Sequence, residues 1–435
     1  MGNSESGPCR CAELERAPAD SPVRKTRAVQ LQDPTGIGAD ALARTAPWYE
    51  KMCESRVSQN LFHAAVIGDS KATMAALVSH ASPNCCNADG LTPLVCAVAG
   101  GHVDVTRLLV TSGAKVNAVP SSFGISPLSL AAAQGQVEIL QILLGWKADP
   151  NSNNVGGNAP LARAAEAGFC EVCRLLLEAG AQPDARDEAG ATALMRAISS
   201  ERLEAAQMLI RSGAPVSSVD LCSRSALSLV IDIQLRLEPL GKMALSGMIN
   251  PHSQEVYWSQ LSSILVEQRA DVNIVGSDGD TLLSRATRNR RNDVVVRLLE
   301  SKCDPDFPTP ACDGGSALLV AAMNRDANLC QTLVMRAASV NMATQTGMTP
   351  LLAAVDAGDE DICFYLLQSG AKYDLRDPRT REPLVVKAAA RGLRRLYDYL
   401  RPRVDLLAVT DVSTAAEELD DHNAEYEYVS DVSED

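Results

Sequence analysis

Residues 89–117 read DGLTPLVCAVAGGHVDVTRLLVTSGAKVN, and this stretch shows the local pattern on which the whole chain is built. Gly90 suits the positive φ of a tight turn, Thr92 can cap a helix, and Pro93 suits the first helical position, where no N–H is needed. A short helix of small apolar residues, a tight loop and a Leu-rich second helix follow, and Gly113 suits a C-terminal cap. The stretch therefore predicts turn, helix, loop and helix.

The phrase that ends this stretch returns along the chain: a small residue followed, in most copies, by Asn or Asp within three positions. Successive copies are separated by 33, 34, 33, 33, 56, 33, 35 and 33 residues, and the long interval is one period plus 23 residues. The copies begin at Ala81, Ala114, Ala148, Ala181, Ala214, Ala270, Cys303, Ala338 and Ala371. A period near 33 residues predicts a stack of small structural repeats.

The turn-and-cap phrase also recurs upstream of most copies. It reads GISPL at 124–128, NAPL at 158–161, GATAL at 190–194, GDTLL at 279–283 and GMTPL at 347–351. The helices that follow it are rich in Ala, because small side chains let neighbouring helices approach closely. One unit carries extra residues at 232–255, where Pro239-Leu240-Gly241 and Asn250-Pro251 predict a loop between its two helices.

These residues resemble the ankyrin-repeat family, whose pattern is Gly-x-Thr-Pro-Leu-His-x-Ala-Ala, then Gly, a Leu pair and Gly-Ala-x-x-Asn. The resemblance covers about 57–400 and implies an all-α solenoid of about ten stacked helix-loop-helix units with β-turn tips. It also implies a non-catalytic scaffold or adaptor that binds protein partners. The family's His is replaced throughout, for example by Val95 and Ser129. Its hydrogen bond to the capping Thr is then missing, so we expect a less rigid stack.

Charge and composition exclude several other classes of protein. The net charge of -14 is concentrated in residues 411–435, which hold ten acidic and no basic residues. The near-neutral repeat region lacks the basic surface that nucleic-acid binding requires. No apolar run approaches the roughly 18 residues of a membrane span, and no secretory signal pattern is seen. We therefore expect an intracellular protein.

Residues able to carry catalysis or bind a metal are few. The chain contains five His and thirteen Cys, without a His pair or a Cys/His cluster. Cys170 and Cys173 have the spacing of a redox or zinc motif, but Cys173 falls in a predicted second helix, so packing thiols are the favoured interpretation. We expect no catalytic residue, no metal, no cofactor and no small-molecule substrate.

The beginning of the chain carries a lipidation pattern. Met1-Gly2-Asn3-Ser4-Glu5-Ser6 fits N-myristoylation of Gly2, and Cys9 and Cys11 could add the palmitoyl chain that stable anchoring needs. The pattern predicts a protein at the cytoplasmic face of a membrane. The alternative hypothesis is a soluble cytosolic or nuclear regulatory protein of the same fold without a lipid anchor.

Two terminal segments flank the predicted repeats. Residues 1–56 contain several prolines and no periodicity, which predicts a disordered leader. Residues 401–435 are predicted to be an acidic disordered tail. Two more specific hypotheses are a phosphorylated docking segment and contact with a basic partner. The candidate phosphorylation sites are Tyr426, Tyr428, Ser430 and Ser433.

The partner-binding residues are predicted from positions that vary between units. In repeat stacks the turn tips and the ends of the first helices line a concave face. Apolar residues at such positions are Leu91, Phe123, Ile125, Met323 and Met348, and a local basic cluster is formed by Arg288, Arg290 and Arg291. The alternative for any single residue is packing against its neighbouring turn.

Overall fold

The computed structural model describes residues 56–87, 90–119, 124–152, 157–241 and 251–403. Within these ranges the chain forms twenty α-helices, two short 3-10 helices and isolated β-bridges, and no strand. The predicted all-α class is confirmed. The chain divides into two compact units, residues 1–222 and 223–435, and each is described by itself.

The first unit contains five helix pairs. They are α1 (Arg56–Ile67) with α2 (Ser70–Val78), α3 (Pro93–Ala99) with α4 (Val103–Thr111), α5 (Pro127–Gln134) with α6 (Val137–Gly145), α7 (Pro160–Ala167) with α8 (Cys170–Glu178), and α9 (Ala193–Ser199) with α10 (Leu203–Arg211).

The second unit also contains five helix pairs. They are α11 (Ala226–Gly241) with α12 (Pro251–Glu267), α13 (Leu282–Arg288) with α14 (Asn292–Glu300), α15 (Ala317–Met323) with α16 (Ala327–Met335), α17 (Pro350–Ala357) with α18 (Glu360–Gln368), and α19 (Leu384–Ala390) with α20 (Arg394–Leu400). The 3-10 helices are Pro310–Cys312 and Arg401–Arg403, so three residues assigned above to the acidic tail belong to the last pair's helical end.

Side-chain caps start many of the first helices. In α3, α9 and α17 a Thr oxygen accepts the backbone N–H three residues further on; these residues are Thr92, Thr192 and Thr349. Ser126 and Thr281 do the same in α5 and α13. The predicted capping is confirmed. It satisfies one of the N–H groups that lack a partner within the helix.

The core lies between successive helix pairs. The first helix of a pair is buried almost all round, and every residue of α5 from Pro127 to Ala133 is buried. The second helix buries one face, as α8 does through Val172, Cys173 and Leu176. A fully buried Leu contributes about 1.5–3 kcal/mol, so each layer adds stability to its neighbours.

Where the repeated phrase contains Asn, the side chain of this residue links one pair to the next. Asn117 Oδ1 accepts the N–H of Asp149 at 2.9 Å, and Asn117 Nδ2 donates to the Lys147 carbonyl at 3.4 Å. Asn151 makes the corresponding contacts with Gln182 and Gly180. These hydrogen bonds join residues 29–32 positions apart, so they connect equivalent places in successive units.

The turn tips of adjacent pairs are joined by backbone hydrogen bonds. The Leu221 N–H donates to the Ala189 carbonyl at 2.9 Å. Gly190, beside this bond, has a φ of +75°, and a Cβ added to it would lie 3.0 Å from the Leu221 nitrogen. Gly180 also has a positive φ, of +90°, but a Cβ there would meet nothing within 4 Å. Substitutions at the two glycines therefore distinguish the cost of a positive φ from the cost of crowding a neighbouring backbone.

Gly190→Ala is therefore expected to destabilise the first unit more than Gly180→Ala. The positive φ costs about 1–2 kcal/mol at either position. Crowding of the Leu221 backbone adds roughly 1–3 kcal/mol at Gly190. Urea denaturation of the full chain, followed by circular dichroism, measures the difference. Equal destabilisation by the two substitutions would show that the backbone around Leu221 can move to accept the added methyl group without a loss of stability.

The prediction of a loop at 232–255 is wrong at both ends. Helix α11 continues to Gly241 and α12 begins at Pro251, so that only 242–250 of this segment lie outside the described residues. Ile233 and Gln234 are buried within α11, so the first part of this segment belongs to the packed core of the unit. Pro251 occupies the first helical position, which needs no N–H.

The positions that lack the family's His are buried. Val95 is 6% exposed, and its N–H donates to the capping Thr92 oxygen. The Ser284 N–H likewise donates to the capping Thr281 oxygen, and its hydroxyl also bonds to the Thr309 hydroxyl of the next turn. The lower rigidity expected from the missing His stays a prediction.

Candidate functional site

A groove of about 510 Å³ lies in the second unit, between turn tips and first helices. The turn tips contribute residues from three successive turns, and α13, α15 and the residue after α15 contribute the rest. The lining residues are Arg288, Ala311, Cys312, Asp313, Leu319, Val320, Met323, Asn324, Thr344, Thr346, Met348 and Arg379. The groove therefore extends over several successive repeats along the direction in which they stack.

The floor of the groove is apolar and partly open to solvent. Leu319 and Val320 are buried in α15, whereas Met323, the last residue of that helix, is 58% exposed. Met348 is half-buried beside it. A large apolar side chain exposed within a concave surface marks a binding site more often than one on a convex face. Methionine is suited to such a floor because its flexible, polarisable side chain adapts to different partners.

The rim of the groove carries charges of both signs. Arg288 Nη2 lies 2.8 Å from Asp280 Oδ1 and 3.5 Å from Cys312 Sγ. Burial raises the pKa of the Asp280 carboxyl, and the positive charge of Arg288 offsets part of that rise. Asp313 accepts the N–H of Thr346 at 3.1 Å. Arg379 is exposed, and within the described ranges its guanidinium has no ion-pair partner.

The family model for ankyrin repeats, in three copies, matches residues 61–154, 128–220 and 283–377, which together exceed half of the chain. The chain belongs to the ankyrin-repeat family. The predicted family and solenoid class are thereby confirmed. Ankyrin repeats are protein-interaction modules, which agrees with the predicted non-catalytic binding function.

Two known proteins are similar to parts of this ankyrin-repeat chain. Protein PhlB of Serratia liquefaciens is 39% identical over 109 residues, which cover 25% of this chain and 47% of that protein. The B-cell lymphoma 3 protein homolog of Mus musculus is 30% identical over 138 residues, covering 32% of this chain and 30% of that protein. The chain thus spans less than half the length of each of these relatives.

Three predicted partner-binding residues come together in the groove: Arg288, Met323 and Met348. Arg290 is exposed but donates from Nη2 to the Asn324 carbonyl at 2.7 Å, and it does not line the groove. In the first unit, Ile125 is half-buried. Phe123, Gly2, Cys9 and Cys11 lie outside the described residues.

Two predicted partner-binding residues are corrected by their burial. Leu91 is 4% exposed, and its N–H donates to Asn87 Oδ1 at 2.7 Å, so it packs within its own turn. Arg291 is 2% exposed, because its guanidinium lies against Asp293 and the Gln234 carbonyl. Neither side chain is accessible to a partner. A variable position in a repeat can thus be occupied by a structural residue.

Arg379 and Thr346 were missed as groove residues although the repeat period points to them. Asp313, Thr346 and Arg379 follow one another at the 33-residue period, and all three line the groove. Counting one period on from Asp313 reaches Thr346, and counting one more, into the degenerate last unit, reaches Arg379. That unit lacks the Thr-Pro-Leu phrase, which hid its turn tip.

The described residues contain no group of three or more His, Cys, Asp and Glu side chains that could hold a metal ion. The Cys173 thiol is fully buried, and burial raises its pKa to about 12, so the packing interpretation of this cysteine is confirmed. Burial also raises the pKa of Cys312 in the groove. No helix in the described part of the chain is long and apolar enough to cross a membrane.

Proposed function

We propose that this protein is a non-catalytic scaffold or adaptor that binds a protein partner in the groove of its second unit. The observation that carries the proposal is the exposed Met323 in the lining of a groove that the turn tips of three successive repeats help to form. The apolar floor supplies burial on binding, and Arg288 and Arg379 supply orientation at the rim.

Met323→Glu is expected to reduce partner capture from a cell lysate by the full chain at least tenfold, which corresponds to ~1.4 kcal/mol. Met335→Glu is a matched control, because both methionines are exposed and each is the last residue of its helix, α15 or α16. Any cost of an acidic residue at a helix C-terminus is therefore shared. Equal capture by the two variants would remove the groove from the proposed function.

We further propose that Gly2 is myristoylated, that Cys9 or Cys11 is palmitoylated, and that the protein is held at the cytoplasmic face of a membrane. The support is the sequence pattern alone. A single myristoyl chain binds membranes only marginally, so the second acyl chain is part of the proposal.

Gly2→Ala is expected to move the protein from the membrane fraction to the soluble fraction, because it removes the acylated amine. Quantitative fractionation of cells that express either form measures this shift. Ser6→Thr is a suitable control, since it keeps a hydroxyl at the position that the pattern requires. A wild-type protein already found entirely in the soluble fraction would favour the alternative, a soluble regulatory protein without an anchor.

A further inference from the structure

Basic residues are concentrated at the end of the second unit. Residues 376–403 contain nine Arg or Lys and only three Asp or Glu. The basic residues are Arg376, Arg379, Arg381, Lys387, Arg391, Arg394, Arg395, Arg401 and Arg403. All of them except Lys387 are exposed. This end of the unit therefore carries a positive surface that residues 223–403 as a whole, with 22 basic and 21 acidic residues, do not share.

Part of this positive charge is left without an acidic partner at the edge of the groove. Arg391 pairs with Asp356 at 3.1 Å, and Arg395 lies 3.4 Å from Asp361. By contrast, Arg379 and Arg381 make no ion pair within the described residues. Arg379 also lines the groove together with Met348. The apolar floor and the unpaired charge thus meet at Arg379.

The chain itself contains a segment of complementary chemistry. Residues 411–435, which lie outside the described residues, hold ten acidic and no basic residues, and Tyr426 and Tyr428 alternate with Glu425 and Glu427. They follow Arg403, so they are attached to the unit that carries the groove. The 22 residues from Arg403 to Glu425 can span up to roughly 75 Å at about 3.4 Å per residue. Neighbouring helices pack only about 8–10 Å apart, so this segment can reach the groove.

We propose that the groove, with Arg379 in its lining and Arg381 two residues further along the same turn, binds an acidic, tyrosine-containing segment, and that residues 411–435 of the same chain are its resident occupant. Carboxylates of the segment pair with the two arginines, and tyrosine rings pack on Met323 and Met348, a favourable sulfur–aromatic contact. The proposal rests on the proposed function in that the tail competes with the protein partner for one groove.

Competition from the tail is effective because it is intramolecular. A segment joined by a short chain acts at an effective concentration in the millimolar range, so even a weak contact keeps the groove occupied. A partner must then carry similar chemistry and bind more tightly, or the tail must be displaced. The contact also weakens with salt, since exposed charges are screened over about 8 Å at physiological ionic strength.

The test uses a fluorescent synthetic peptide of residues 411–435 and four full-length proteins. They are the wild type, a tail-neutral form with every Asp and Glu of 411–435 replaced by Asn and Gln, and two tail-neutral forms with further changes. One of these carries Arg379→Glu and Arg381→Glu. The other carries Arg107→Glu and Arg211→Glu, which change two exposed arginines of the first unit.

Fluorescence anisotropy is expected to show peptide binding to the tail-neutral protein at least tenfold more tightly than to the wild type, whose own tail occupies the groove. Arg379→Glu with Arg381→Glu is expected to weaken binding at least tenfold, and Arg107→Glu with Arg211→Glu to leave it unchanged. Equal affinity for wild type and tail-neutral protein overturns the proposal. So does binding that is insensitive to Arg379 and Arg381.

Failure of this inference can be told apart from failure of the proposed function. If the peptide does not bind while Met323→Glu still abolishes partner capture, the tail is not the occupant and the groove remains the partner site. If the peptide binds as expected while capture is insensitive to Met323→Glu, the tail contact stands and the partner binds elsewhere.

Discussion

Lys387→Ala is expected to lower the free energy of unfolding of the second unit by about 3–5 kcal/mol, the usual cost of breaking a buried ion pair from one side. The Lys387 side chain is 9% exposed, its Nζ contacts the Asp377 carboxylate, and it lies 2.7 Å from Asp356 Oδ2. Without Lys387, the Asp377 side chain, 3% exposed, would remain as a buried charge that only backbone N–H groups partner. Urea denaturation of the full chain measures the loss.

A matched variant and a rescue separate charge from packing in this experiment. Lys372→Ala removes an exposed lysine from the same unit and is expected to change stability by less than about 0.5 kcal/mol. Lys387→Met combined with Asp377→Leu replaces the pair by apolar side chains, and it should recover most of the loss. A double variant as unstable as Lys387→Ala would contradict the assignment of the cost to an unpaired charge.

The same carboxylate is expected to make the second unit sensitive to acid. Burial of Asp377 opposes its ionisation, but hydrogen bonds from Lys387 and from the backbone N–H groups of Arg379 and Thr380 outweigh burial and lower its pKa from 3.8 to about 2. A folded-state pKa below the unfolded value stabilises the fold at pH values above the unfolded value. The contribution, roughly 2–3 kcal/mol at 1.36 kcal/mol per pKa unit, is lost as pH falls through about 4 to about 2.

Urea titrations of the full chain between pH 6 and pH 2 test this expectation. Lys387→Met with Asp377→Leu is the control, because it removes this titrating group while other carboxylates continue to titrate. The difference in unfolding free energy between wild type and the double variant should be constant above about pH 5. As the pH approaches 2, the wild type should lose roughly 2–3 kcal/mol of unfolding free energy relative to the double variant. A difference that stays constant to pH 2 would show that Asp377 has an ordinary pKa.

The amino-acid sequence by itself determined the repeating unit, because the signals for it are local. A capping Thr such as Thr92 acts within one turn of its helix, and a glycine such as Gly180 acts through its own φ. Where a unit carries the Asn, this residue binds only the next unit, so the repeat period is visible in the sequence. Met323 and Met348 could also be singled out, because the repeat register places them at the end of a first helix and in a turn tip, and both line the groove.

The tertiary structure alone decided which side chains are buried and which helices continue. Leu91 and Arg291 occupy positions that vary between units, yet both are buried, and the Arg291 guanidinium reaches the Gln234 carbonyl, 57 residues away along the chain. Helix α11 includes Pro239 in its last turn, although the local sequence predicts a loop there. Lys387 forms ion pairs with Asp356, which is 31 residues away along the chain, and with Asp377 in the adjacent turn. The residues next to Lys387 in the sequence give no indication that this lysine is buried. Helix propensity can be summed residue by residue along the sequence, whereas the burial of a side chain depends on all the residues that surround it in the folded protein.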